Sequence, residues 1–273
     1  LKATGFNAEP VLLTYEDDEN FNKLLQTLKE KRPEYEFSTT DKKLHRLWLI
    51  DDEINIEKIT SFFEKKEALY IADGHHRSES SSLLKKALQK ENNHHNGTEN
   101  YNYFMSYIIP ESNLKISEFN RFIKDLNGLT IDEFLIELDK SYRIEEKGER
   151  FYKPSQKHHF SMYLDGKFYS LYLRKSAYTY KDALSKLDAE ILYKTILKPI
   201  LGIDNLDNND RIKYRNNKLD MLSIKTLVDN GQFDIGFGML PITIDEIKKI
   251  ADAQLIMPPK TSYIEPKLRS GLT

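Results

Sequence analysis

The chain has 273 residues and a mass of 32.1 kDa, enough for one large domain or two modest ones around a hydrophobic core. Hydrophobic residues make up 39% and charged residues 31%, which is the balance of a soluble globular protein and excludes a disordered chain. No apolar run approaches the roughly 18 residues that a spanning helix needs, and no export signal opens the sequence. We therefore expect a cytoplasmic protein without a membrane partner.

The chain contains no cysteine, which excludes disulfides, zinc–thiolate sites, iron–sulfur clusters and cysteine nucleophiles. Its 41 basic and 43 acidic side chains give a net charge of -2. Proteins that grip nucleic-acid backbones usually carry a basic excess, so DNA is not expected as the main partner. The sequence begins at Leu1 without an initiator methionine, and we expect a trimmed or incomplete product.

Hydrophobic periodicity predicts alternating strands and helices. For the first region, residues 1–110, it predicts a strand at 11–15, a helix from 17 to 32, a hairpin of 35–40 with 44–50, a helix around 56–63, a strand at 68–72, a helix at 77–90, a polar surface loop at 91–100 and a strand at 101–109. For the second region, 111–273, it predicts a helix at 131–138, a hairpin of 158–164 with 168–173, a long helix at 184–200, a strand at 212–215, a helix at 222–228, a strand at 235–240 and a helix at 244–251. This order indicates the α+β class, with a mixed sheet and covering helices.

The motif with the most chemical content is Asp-Gly-His-His-Arg-Ser at residues 73–78, directly after a buried strand. Its glycine permits a left-handed or tight turn, and the following residues open a helix. Unpaired N–H groups at the positive end of that helix, two imidazoles and a guanidinium are suited to an anion such as phosphate. The candidate catalytic residues are Asp73, His75 and His76, and the candidate phosphate- or nucleotide-binding residues are Gly74, His76, Arg77 and Ser78.

Each of these residues has a defined chemical role. Arg77 can donate two hydrogen bonds to phosphate oxygens, and a histidine can exchange protons near neutral pH. Asp73 could orient a histidine, activate a hydroxyl or hold Mg²⁺. A purely structural alternative stays open, in which Asp73 caps the helix, the histidines are hydrogen-bonded structural residues, and Arg77 pairs with Asp73 at i,i+4.

The segment 257–272 contains three prolines and three cations and has no helical period, so it is predicted to run extended. One interpretation is a tail along the surface. The other is a segment that returns to the site and completes an anion pocket with Lys260, Thr261, Ser262, Lys267 and Arg269. The acidic runs at 17–19 and 51–53 could supply metal ligands, but each precedes a predicted helix, so no metal site is assigned.

The runs Tyr-Ile-Ala-Asp-Gly-His-His-Arg at 70–77 and Met-Pro-Pro-Lys-Thr-Ser-Tyr at 257–263 resemble the signatures of the bacterial domain of unknown function 1015 family. The same resemblance covers Asn-Arg at 120–121, Asp-Leu-Asn-Gly at 125–128, Leu-Asp at 187–188, Ile-Leu-Gly at 200–202, the segment 237–241, Glu-Pro-Lys-Leu at 265–268 and Ser-Gly-Leu at 270–272. The family carries a partitioning-regulator label, and its members have a longer N-terminal segment with a Pro-Tyr-Asp-Val-like motif that is missing here.

The family's Asp-Gly-His-His-Arg box resembles the phosphate-binding box of the ParB/sulfiredoxin-like fold, so the resemblance implies a phosphate-binding core of that kind. The fold includes nucleotide-binding partition proteins, sulfiredoxin and a kinase that phosphorylates free serine. Sulfiredoxin chemistry needs a cysteine at the box, and this chain has none. No helix-turn-helix of the partition proteins is recognisable.

Three functions follow from the box and its resemblance. The first is a small-molecule kinase that binds ATP or ADP with Mg²⁺ and transfers phosphate to a hydroxyl metabolite, with Arg77 neutralising charge. The second is a non-enzymatic, ParB-like nucleotide-binding regulator of partitioning or transcription. The third is a protein that binds a phosphorylated or carboxylated metabolite without a nucleotide.

Overall fold

A computed structural model of the chain describes residues 1–3, 5, 9–40, 42–216 and 221–267, without the side chains of 221–223. The protein is of the α+β class and divides into two compact units. The first unit contains Leu1–Leu114 together with the described tail residues Pro266 and Lys267, and the second contains Lys115–Glu265. In the part of the chain that is described, no helix combines the length and the apolar character needed to cross a membrane.

The first unit is built on a small mixed sheet. Its elements are β1 (Val11–Tyr15), α1 (Glu19–Lys29), β2 (Tyr35–Ser38), β3 (Leu44–Leu47), α2 (Glu53–Glu64), β4 (Tyr70–Asp73), α3 (His75–Glu91) and β5 (Ser106–Pro110). The central strand β1 pairs antiparallel with β4 and parallel with β5, which confirms the predicted mixed sheet. The predicted hairpin of β2 and β3 is also confirmed.

Two acidic residues start helices of the first unit. The Asp18 carboxylate accepts the Phe21 N–H at 2.8 Å, and the Asp52 carboxylate accepts the Asn55 N–H at 3.0 Å. Each therefore caps the helix that follows it and satisfies an N–H group that has no partner within the helix. These caps account for one member of each acidic run that the sequence offers as metal ligands.

The core of the first unit is aromatic. The rings of Phe21 on α1 and Phe62 on α2 stack with their centroids 3.8 Å apart, and Tyr15 meets both edge-on. All five residues of β1 are buried between these helices and the neighbouring strands. The helical spacing of apolar residues on α1 and α2 thus turns one face of each helix toward β1.

The second unit is built on a six-stranded antiparallel sheet. Its elements are β6 (Lys115–Ser117), β7 (Phe119–Ile123), α4 (Ile131–Asp139), β8 (Tyr142–Gly148), β9 (His159–Leu164), β10 (Lys167–Leu173), α5 (Asp188–Leu192), β11 (Ile212–Asn216), α6 (Met221–Asp229), β12 (Ile235–Gly238), α7 (Ile244–Asp252) and β13 (Tyr263–Glu265). The strand order is β11-β7-β12-β9-β10-β8, and β13 pairs with β6 in a separate ribbon.

Local sequence signals explain several of these elements. The predicted hairpin of β9 and β10 turns at Asp165 and Gly166, whose φ angles of 47° and 75° suit the twist of the two strands. Helix α4 begins with a capping box in which Thr130 and Glu133 satisfy each other's backbone N–H groups. Thr243 begins α7 in the same way.

The predicted long helix at 184–200 is wrong. The segment contains a 3₁₀ turn, the short helix α5 and a π-helical turn at Tyr193–Leu197. Leu187 is extended, with ψ of 133°, and interrupts the helix before α5. Farther on, the Thr195 hydroxyl donates to the Ile191 carbonyl, and Pro199 has no N–H to continue the ladder. The apolar spacing is helical, but the backbone hydrogen bonds change type along it.

The predicted strand at 101–109 begins later than expected, at Ser106, because residues Asn100–Asn102 form a 3₁₀ turn. The polar loop before it is organised by the Glu99 carboxylate. That carboxylate accepts the backbone N–H groups of Asn96 and Gly97 and an amide N–H of Asn102. An apparently unpatterned stretch therefore has a defined structure that no hydrophobic period reports.

Candidate functional site

The turn between β4 and α3 has the geometry expected from the sequence. Strand β4 ends at Asp73, Gly74 has φ of +97°, and α3 begins at His75 with no capping side chain among the described residues. A Cβ at position 74 would lie 3.1 Å from three atoms of the Arg77 guanidinium group. Glycine is therefore favoured here for two reasons, because the backbone is left-handed and because the guanidinium packs directly on it.

Arg77 folds back over this turn and is held by three groups. Its Nη2 donates to Asp73 Oδ2 at 2.8 Å, and its Nη1 donates to the Pro10 carbonyl and lies 3.4 Å from Glu9 Oε2. The i,i+4 pair of Asp73 with Arg77 is thus present, as the structural alternative supposed. The suggestion that Asp73 caps α3 is wrong, since its two carboxylate oxygens accept from Arg77 and Lys267.

A second cation reaches Asp73 from the tail. Lys267 Nζ lies 3.1 Å from Asp73 Oδ1, so each oxygen of this carboxylate faces one cation. The three side chains are between 34% and 46% exposed, and ion pairs exposed to that extent contribute little stability. Their main effect is to orient the charged side chains. We call the group of two cations and two carboxylates, Arg77, Lys267, Asp73 and Glu9, the box cluster.

A cavity of about 140 Å³ adjoins the box cluster. It is lined by Glu9, Pro10, Leu12, Asp73, Arg77, Tyr107, Pro266 and Lys267. Sheet pairing creates it, because Leu12 on β1 lies opposite Asp73 on β4 and opposite Tyr107 on β5. Local motifs in the sequence give no signal for Glu9 or Tyr107. Tyr107 enters the lining because β5 pairs with β1, and Glu9 enters it just before β1, where its carboxylate lies 3.4 Å from Arg77.

The other predicted site residues fall into three groups. His75 and His76 are exposed in the first turn of α3, and the Ser78 N–H donates to the Gly74 carbonyl as part of the helix. Lys260, Thr261 and Ser262 belong to the second unit, where Lys260 Nζ lies 5.9 Å from the Phe119 ring centre and the Thr261 hydroxyl donates to the Pro258 carbonyl. Arg269 lies outside the described residues.

Metal binding was expected through Asp73, with Mg²⁺ bridging nucleotide phosphates. Within the described ranges, no group of three or more histidine or acidic side chains is placed to hold a metal ion. Asp73 itself has one oxygen against Arg77 and the other against Lys267. A Mg²⁺ ion would have to displace one of these cations, so the arrangement does not fit Asp73 as a direct magnesium ligand.

Fold and site together define an α+β protein in which an uncapped helix, opened by a left-handed glycine, borders a small ion-lined cavity. The family model described as "Protein of unknown function (DUF1015)" matches residues 1–190, and the chain belongs to that family. No curated protein matches the sequence.

Several solved structures are similar to the chain over most of its length. A variant of a free serine kinase in complex with ADP is 13% identical, with a TM-score of 0.45, over 97% of this chain and 76% of that one. SbnI with a C-terminal truncation from Staphylococcus aureus is 12% identical, with a TM-score of 0.44, over 98% and 72%. A conserved hypothetical protein from Pyrococcus furiosus is 13% identical, with a TM-score of 0.40, over 98% and 81%.

Proposed function

We propose that the protein binds a phosphate-bearing small molecule at the turn between β4 and α3. The observation that carries this proposal is that the Arg77 guanidinium and the Lys267 ammonium line one cavity beside the uncapped start of α3. The first N–H groups of a helix have no partner within it and lie at its positive end, so they favour a negative ligand. A guanidinium adds donors whose planar geometry matches phosphate oxygens.

Among the described residues, the box cluster contains two positive and two negative side chains. A bound phosphate would therefore replace a carboxylate beside one of the cations. Glu9 is the carboxylate most readily replaced, because it lies 3.4 Å from Arg77 whereas Asp73 lies at 2.8 Å. A phosphate that takes the place of Glu9 would leave Asp73 to orient the guanidinium. Binding should then weaken as salt rises, because exposed charges are screened.

The finer proposal is that the phosphate belongs to a nucleotide and is transferred to a small hydroxyl metabolite. The likeness of the box to the ParB/sulfiredoxin-like phosphate box supports the nucleotide. In the transfer, the substrate hydroxyl oxygen bonds to the terminal phosphorus, the bond from that phosphorus to the leaving diphosphate breaks, and the hydroxyl proton passes to an imidazole. His75 and His76 suit the last role better than Asp73, since they are exposed whereas Asp73 is ion-paired.

Calorimetric titration with inorganic phosphate, ADP and ATP tests binding. Arg77→Ala should weaken phosphate affinity at least tenfold, since a hydrogen bond to a charged group contributes about 1.5–3 kcal/mol. Arg46→Ala is the control, because Arg46 pairs with Glu36 on the β2–β3 hairpin. If wild-type protein binds none of the three ligands, the proposed function is wrong.

Incubation with ATP, Mg²⁺ and a pool of hydroxyl metabolites, followed by mass spectrometry, tests transfer. A phosphorylated product that is lost in the His75→Ala or His76→Ala variant supports the kinase. Nucleotide binding without product would contradict the kinase and favour the nucleotide-dependent regulator. Binding of inorganic phosphate without binding of ADP or ATP would favour the metabolite-binding protein.

A further inference from the structure

Tyr107 is the polar side chain in the cavity lining to which the proposed function gives no role. It stands on β5 in the same cross-strand row as Leu12 and Asp73. Residues directly opposite each other on neighbouring strands project to the same face of a sheet. The row therefore places a carboxylate at one end, an apolar side chain in the middle and a phenol at the other end.

The Tyr107 hydroxyl has no hydrogen-bond partner in the part of the chain that is described. Burial of the residue raises the pKa of this hydroxyl. A tyrosine phenol is protonated, and therefore able to donate, across the neutral range, and the raised pKa extends that range upward. A half-buried phenol usually finds a partner for its hydroxyl. Here the rest of the lining consists of Leu12, two prolines and the charged box cluster.

The cavity volume limits what can enter. At about 140 Å³ it corresponds to roughly four or five water molecules of about 30 Å³ each. Whole small-molecule ligands occupy pockets of about 300–1,000 Å³. The cavity is therefore large enough for one tetrahedral anionic group, and the rest of a larger ligand would lie outside it.

We propose that Tyr107 donates a hydrogen bond to a single terminal phosphate group, which occupies the cavity with Arg77 and Lys267 as the other two donors. This inference rests on the proposed function and deepens it. Three donors from three separate segments match the three terminal oxygens of a phosphate monoester or of the last phosphate of a nucleotide. A phosphate diester has two terminal oxygens and two substituents, so the same cavity selects against it.

The test compares inorganic phosphate, methyl phosphate and dimethyl phosphate by calorimetric titration of the wild type and Tyr107→Phe. Wild type should bind the first two with similar affinity and dimethyl phosphate at least tenfold more weakly. Tyr107→Phe removes only the hydroxyl and should weaken phosphate binding about tenfold. Tyr35→Phe is the matched control, because Tyr35 is 60% exposed on the β2–β3 hairpin, and it should bind phosphate as the wild type does.

A second measurement covers the case in which Tyr107→Phe fails to fold. In wild-type protein labelled with 3-fluorotyrosine, phosphate should shift one fluorine resonance. The labelled control variant Tyr35→Phe should still show this resonance. If Arg77→Ala abolishes phosphate binding while Tyr107→Phe binds normally, or if no tyrosine resonance moves, the role of Tyr107 is refuted and the proposed function stands. If wild-type protein binds no phosphate at all, the proposed function falls and this inference falls with it.

Discussion

Replacement of Gly74 by alanine tests the geometry on which the candidate site depends. Gly74 has φ of +97°, a conformation that costs an L-residue about 1–2 kcal/mol. The new Cβ would also lie 3.1 Å from the Arg77 guanidinium, tighter than ordinary van der Waals contact. The guanidinium cannot retreat freely, because it is bonded to Asp73 and to the Pro10 carbonyl.

The expected destabilisation is the sum of these two effects. A hydrogen bond to a charged group contributes about 1.5–3 kcal/mol, but solvent reduces this here to about 1 kcal/mol because Asp73 and Arg77 are more than one-third exposed. Together with the backbone strain, Gly74→Ala should lower the free energy of unfolding by about 2–3 kcal/mol. Phosphate affinity should fall as well, because the guanidinium moves.

Denaturant unfolding of Gly74→Ala is best compared with that of Gly97→Ala. Gly97 lies in the same unit with φ of +96°, and a Cβ there meets nothing within 4 Å, so it reports the strain alone. The excess cost at position 74 should be about 1 kcal/mol and should disappear in an Arg77→Ala background. If the two glycine variants lose equal stability, or if the excess persists without Arg77, then the guanidinium does not pack on this turn and the reasoning fails.

Three further predictions concern groups outside the site. Burial raises the pKa of Asp188 from 3.8 to about 6, so ionisation of this group should destabilise the folded protein progressively as pH rises from about 4 to 6. In unfolding curves across this range, Asp188→Asn should remove this loss of about 3 kcal/mol. An unchanged pH dependence would contradict the prediction. Burial opposes ionisation of Glu99, but amide donors from its own loop outweigh it and lower its pKa to about 2; Glu99→Gln should accelerate hydrogen exchange at the Gly97 amide at neutral pH, and wild-type protection would refute the loop's dependence on the carboxylate. Gly236→Ala should lower the free energy of unfolding by about 1–3 kcal/mol, because its Cβ would lie 2.3 Å from Ile224 Cγ2. If crowding is the cause, the same change made in an Ile224→Ala background should lose most of this cost.

Short-range signals predict much of this fold from the sequence. The hairpin of β9 and β10 follows from two alternating runs around Asp165 and Gly166, and α4 follows from the cap at Thr130. In each case the determining residues lie within a few positions of the element that they define. The segment 184–200 shows the limit, because the choice among α-, 3₁₀- and π-type hydrogen bonds depends on the Thr195 side chain and on Pro199 rather than on the apolar period.

The candidate site divides in the same way. The left-handed glycine and the start of α3 at His75 follow from a contiguous motif, so they could be predicted. Glu9 and Tyr107 could not, because they join Asp73 in the lining of one cavity only when segments far apart in the chain come together. The register of β1 with its two neighbours is a tertiary property, and a single sequence carries no local record of it.

The same non-local assembly changes the electrostatics of the box. By itself the motif at 73–78 contains one carboxylate, one guanidinium and two imidazoles, which suggests a positively charged site. The fold adds Glu9 to Arg77 and places Lys267 from the tail on Asp73. Among the described residues these two additions are equal and opposite in charge, and the guanidinium is already oriented by its partners. Affinity for an anion should therefore depend on how easily the anion displaces the Glu9 carboxylate from Arg77, so Glu9→Gln should strengthen phosphate binding. Asp73→Asn should weaken it, because the guanidinium would then be free to rotate.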